Sequence, residues 1–128
     1  MKNYDRTGED SEGTIWYELD GLLHRVDGPA MICADGSLHW YRNGHLHRED
    51  GPAVEWANGD REYWHHGILH RTDGPAIEDA SGYREWYQHG DLHREDGPAV
   101  EGVNGSQEWW FRGVKKTIDG SGNRCHYE

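Results

Sequence analysis

Long hydrophobic runs are missing from this chain: apolar residues make up 34% of its 128, and mean hydropathy is −1.08. No stretch approaches the roughly 20 apolar residues of a membrane-spanning helix, and no leader-like segment opens the sequence. Too little apolar matter remains for a conventional two-layer core. Phenylalanine is nearly absent, one against seven Trp and seven Tyr. Burial must then fall to large rings with a polar edge, which suits a thin sheet wet on at least one side. Only two cysteines occur, Cys33 and Cys125. Strands stacked at ~4.8 Å would hold them roughly 40 Å apart, too far for a disulfide, and the cytosol is the expected compartment. Basic residues are scarce as well, 13 against 24 acidic ones, for a net charge of −11. Such a chain repels nucleic acid and anionic membrane at long range and is steered toward basic surfaces.

What is present is a repeat. LHRVDGPAM, LHREDGPAV, LHRTDGPAI and LHREDGPAV place His24, His47, His70 and His93 at a constant 23-residue step. Gly21, Gly44, Gly67, Gly90 and Gly113 keep the same step, as do Gly13, Gly36, Gly59, Gly82 and Gly105. Three rulers without drift define about four and a half units, a tandem array in which each unit packs on its neighbours. The strict period and the aromatics argue against the disorder that this composition would otherwise suggest. Residues 1–12 carry no copy and are read as a cap or frayed end, 13–120 as the repeat domain, and 121–128 as a C-terminal tail or cap. Runs between the glycines are too short for helix and show no 3.6-residue period. The expected fold is all-β: an elongated, single twisted antiparallel sheet of stacked β-hairpins.

Reading the Gly-containing pairs as two-residue hairpin turns fixes a register. About Asn43-Gly44, Tyr41 faces Leu46 and Trp40 faces His47. About Asn58-Gly59, Val54 faces Tyr63 and Glu55 faces Glu62; likewise Glu78 faces Glu85 and Glu101 faces Glu108. Opposed like charges destabilise a sheet, so one carboxylate per repeat is left over as an acidic stripe; three-residue turns would dissolve that pairing. The candidate partner-binding residues are therefore Glu55, Glu62, Glu78, Glu85, Glu101 and Glu108 for steering, with Trp56, Trp64 and Trp110 as anchors. The Asp before each Gly-Pro is expected to fold onto backbone N–H groups.

Ten histidines invite a metal reading, but His45 is replaced by Leu22, Ile68 and Asp91 in the other repeats, so no consistent ligand set forms. The recurring His is read as an architectural partner of the facing ring and of Asp. His, Arg and Asp recur four times with no single nucleophile, and no Gly-rich phosphate cradle exists. No metal, cofactor or catalytic residue is expected.

The 23-residue period, the aromatic strands and the motifs NGHLH, HGILH and HGDLH resemble the MORN repeat. They are closer still to its divergent HRxDGPA variety, seen in phage-encoded and antitoxin-like bacterial proteins, and the resemblance spans residues 13–120. It implies a hairpin sheet used as a binding surface. The function expected is a non-catalytic protein-binding module, a small inhibitor of phage anti-defence type (anti-CRISPR, for example) or antitoxin type. It would present an acidic sheet to a basic, nucleic-acid-binding surface of its target, without binding nucleic acid or membrane itself. A nucleotide-like ligand sponge, or a scaffold oligomerising through exposed strand edges, is the alternative.

Overall fold

Two kinds of reversal, alternating along the chain, build everything else. A computed structural model describes residues 3–118 and 125–127, with side chains for 3–116. Among them every regular element is a strand of two to five residues and none is a helix. The first kind of reversal is the two-residue turn at 20–21, 43–44, 66–67, 89–90 and 112–113. Its first residue sits at φ 49–53° and its glycine at φ 78–84°, the doubly positive geometry of a type I′ turn. About Asn43-Gly44, Tyr41 pairs with Leu46, the register expected from sequence.

The second kind differs from expectation. In the loops at 10–14, 33–37, 56–60, 79–83 and 102–106 only the glycine has positive φ. Trp56 N–H bonds Asp60 O at 2.9 Å, and Gly59 N–H bonds Trp56 O at 2.9 Å. This is a three-residue loop, a type I turn closed by a left-handed glycine. Its cause is local: Asn58 Oδ1 accepts the Asp60 N–H at 3.0 Å, as Asp35 does for Ser37 and Asn104 for Ser106. A side chain acting as an acceptor two residues on keeps its own backbone right-handed. The extra residue slips the register by one, so Val54 faces Glu62 and Glu55 faces Arg61. Correspondingly Glu78 faces Arg84 and Glu101 faces Gln107. The expected Glu–Glu pairs do not form, and the two glutamate sets stand on opposite faces of the sheet.

Contacts divide the chain into two units, residues 1–68 and 69–128. In the N-terminal unit the antiparallel order is Arg6–Glu9, Ile15–Leu19, Met31–Ile32, Leu38–His39, Val54–Glu55, Arg61–Glu62. In the C-terminal unit it is Ile77–Glu78, Arg84–Glu85, Val100–Glu101, Gln107–Phe111, Val114–Ile118, Cys125–Tyr127. Each path is open. Residues 6–9 are thus an edge strand, and Asp5 Oδ2 accepts the Asp20 N–H at 3.2 Å, standing in for a preceding repeat. Most of the tail from 121 lies outside the described residues, as does the Cys125 side chain; Cys33 is a free thiol.

Among the described residues buried apolar side chains are few and small: Ala30, Ala53, Val54, Ala76, Ala99 and Val100. Hydrogen bonds between consecutive repeats do much of the work instead. The Nδ1 of His24, His47, His70 and His93 accepts, at 2.9 Å, the N–H of the first residue of the next I′ turn: Asn43, His66, His89 and Arg112. The turn glycines donate to Leu23, Leu46, Leu69 and Leu92 O at 2.8–2.9 Å. At the other end of the hairpins Thr14 Oγ1 accepts from Ala34 N–H and Ser37 Oγ from Ala57 N–H, at 3.1 and 3.0 Å. The recurring histidine is architectural, but its partner is a backbone N–H nineteen residues ahead rather than the facing ring or Asp.

Candidate functional site

Each HRxDGPA block folds around its arginine. Arg48 Nε donates to Asp50 Oδ1 at 3.0 Å, and its Nη1 donates to Pro52 O at 3.0 Å and Glu55 Oε2 at 2.9 Å. The guanidinium carbon lies 3.9 Å from the centroid of Trp40, a cation–π contact. A Cβ on Gly51 would come 2.9 Å from that carbon, so a larger residue there would push the arginine from its place. Arg94 repeats the arrangement on Asp96, Pro98, Glu101 and Trp86. Arg71 does so on Asp73, Pro75 and Glu78. Arg25 keeps Asp27 and Pro29 O, but Ile32 occupies the position of the glutamate. The Asp carboxylate therefore turns to the arginine rather than to backbone N–H groups.

The glutamates picked from sequence are all engaged internally. Glu55, Glu78 and Glu101 accept from Arg48, Arg71 and Arg94. Glu62 accepts the indole N–H of Trp56 and Trp64, both at 2.9 Å, and Glu108 that of Trp110. Glu85 accepts the hydroxyls of Tyr83 and Tyr87. Burial, reinforced by the Glu85 carboxylate, pushes the Tyr87 hydroxyl up to about 12 and raises that of Tyr83 as well. Trp56 is exposed, whereas Trp64 and Trp110 are half-buried. Among the described residues no leftover acidic stripe runs through the strands.

Well-exposed carboxylates lie at the corners instead. Asp27, Asp50, Asp73 and Asp96 have side chains 65–88% exposed, each with one oxygen on an arginine and the other toward solvent. Glu49 and Glu95, beside them, are 65% and 75% exposed. Sequence reading passed over them because an Asp before Gly-Pro looks purely structural.

Two equivalent clefts open between consecutive corners. One, of about 500 Å³ in the N-terminal unit, lies between the Arg25 and Arg48 corners, with Trp40, Arg42 and His47 in its wall. The other, of about 580 Å³ in the C-terminal unit, repeats it two repeats on, with Trp86, Gln88 and His93.

The fold also gathers His47, His65 and His66, with one ring nitrogen of each within 4.8 Å of the others. The latter two come from the next I′ hairpin, and only the stacking of repeats reveals the cluster. Because His47 Nδ1 accepts the His66 N–H, its proton sits on Nε2. That nitrogen is a donor with no lone pair to give a metal. Burial, helped by His65, His66 and Arg42 and opposed by Glu49, lowers the His47 pKa and keeps the ring neutral.

No protein-family model, curated protein or solved structure matches the chain.

Proposed function

We propose that this is a non-catalytic protein-binding module that presents its acidic corners to a basic surface of a protein partner. The observation carrying the reading is the corner itself: a solvent-facing carboxylate in each repeat, held by an arginine that is stacked on a ring and bonded on two or three sides. Fixing a charged side chain beforehand removes an ordering cost from association. Like-signed charges on a rigid frame raise encounter rates with an oppositely charged patch. Catalysis is disfavoured by the same bonding, since each corner's Arg and Asp and the Nδ1 of each recurring His are already committed. With the motif resemblance to MORN-like repeats, the reading extends to a small cytoplasmic inhibitor, of anti-defence or antitoxin type, that masks a nucleic-acid-binding surface.

The test is affinity capture of host proteins at low and high salt with the wild-type chain and with the Glu49→Gln, Glu95→Gln double variant, which spares the Arg–Asp corners. Capture that weakens with salt and weakens further in the variant supports the proposal. Capture indifferent to both would refute it.

A further inference from the structure

The cleft of the N-terminal unit contains a donor with nothing to donate to. His47 has a side chain only 1% exposed, its Nδ1 is committed to the next turn, and its Nε2 has no hydrogen-bond partner among the described residues. Buried N–H groups are rarely left so, because the desolvation is not recovered. The nearest carboxylate oxygen, on Glu49, is 3.9 Å away, outside hydrogen-bond range. Glu49 lines the cleft, so the Nε2 edge of the ring is the edge toward it.

Arg42 supplies the second half. It is two residues from Trp40 on one strand and faces His45 across the hairpin, which puts Arg42, Trp40 and His47 on one face. Arg25 and Arg48 are each neutralised by an Asp. Arg42 forms no ion pair among the described residues, although it lines the cleft.

The equivalent cleft of the C-terminal unit shows what this ring edge attracts. There Gln88 replaces Arg42, and the Glu95 carboxylate stands closer to the ring, 3.5 Å from His93 Nε2. In the N-terminal cleft the chain's own carboxylate stands further off, and an unpaired guanidinium has been added.

We infer that the cleft of the N-terminal unit binds a small ligand through an oxyanion, carboxylate or phosphate, which accepts the His47 Nε2–H and pairs with the Arg42 guanidinium. Its volume of about 500 Å³ is within the usual range for small-ligand sites. The donor set suits an anion and offers nothing to a metal. The site lies between two of the acidic corners and shares Glu49 with one of them, but it calls for no protein partner.

The experiment follows the imidazole nitrogens of the full ¹⁵N-labelled chain by NMR during titration with inorganic phosphate and, separately, acetate, at ionic strength held constant with sodium chloride. The expected result is a saturable shift of His47 Nε2 with at least one of them while His93 stays put. Phosphate alone would assign a tetrahedral anion, and acetate a carboxylate. Arg42→Gln installs the residue found in the other cleft and should weaken binding about tenfold or more. Glu49→Gln, which removes the competing carboxylate, should strengthen it and serves if Arg42→Gln does not fold. No saturable shift with either anion, equal shifts at His47 and His93, or an unchanged affinity in a folded variant would overturn the inference.

Discussion

The two ends of each hairpin solve one problem with different chemistry. Both must satisfy backbone N–H groups in a tight reversal. At the I′ end the first N–H goes to a histidine ring of the preceding repeat, as from His66 to His47 Nδ1 at 2.9 Å. At the three-residue loops a side chain within the loop does part of the work, and Thr14 and Ser37 reach the next loop through a hydroxyl. The I′ end leans on its neighbour through rings, and at His47 it is sensitive to mild acid. The loop end is partly self-sufficient and, where Asp35 and Asp79 are held below the usual carboxylate range by the groups they accept from, responds only to stronger acid. A repeat protein stitched on one side by rings and on the other by hydroxyls and carboxylates should respond to mild acid from the ring side first.

Four changes would break or sharpen this contrast. The largest effect is expected from His47→Leu, which removes a buried ring and orphans the His66 N–H at a part-buried site, and should cost about 2–4 kcal/mol by urea denaturation. Acid comes next. The folded state lowers the His47 pKa, so below the unfolded value of about 6.5 the unfolded chain binds more protons than the native one. His47's contribution is thus complete above about pH 6.5 and is lost as pH falls from there through the lower folded value. Melting temperature should drop between pH 7.5 and 5, and less steeply in His47→Leu. Ser37→Ala, at the other end, removes the acceptor of the Ala57 N–H and should cost about 1 kcal/mol. Between pH 7.5 and 5 its pH dependence should match that of the unaltered protein, because the Asp35 carboxyl that the Ser37 hydroxyl helps hold down titrates in stronger acid. The smallest change is a gain: His66 holds φ 51°, which Asn tolerates better. His66→Asn should add about 0.5 kcal/mol, read as a rise in the denaturation midpoint.

Much of the arrangement was legible beforehand. The period, the all-strand character and the Tyr41–Leu46 register followed from the spacing of glycines and rings. The loops at Asn58-Gly59 were misread because the same dipeptide serves two reversals. Where the Asn side chain accepts an N–H two residues on, its backbone stays right-handed and the loop gains a residue. That slip took Glu55 from Glu62 to Arg61 and removed the acidic stripe. The exposed corner carboxylates and the His47–Arg42 cleft escaped notice for another reason. They form between repeats, and no single 23-residue unit contains them.

By itself the sequence determined that identical units recur, that they are hairpins, and that each carries a His, an Arg and an Asp in one block. Local spacing and turn chemistry act over a few residues, so they can be read from a string of letters. Which carboxylates face water, which histidine nitrogen carries the proton and which arginine finds no ion pair among the described residues were decided only when one repeat lay against the next. Those outcomes depend on partners nineteen or more residues away, and on a register that a single hydrogen bond in a loop can shift.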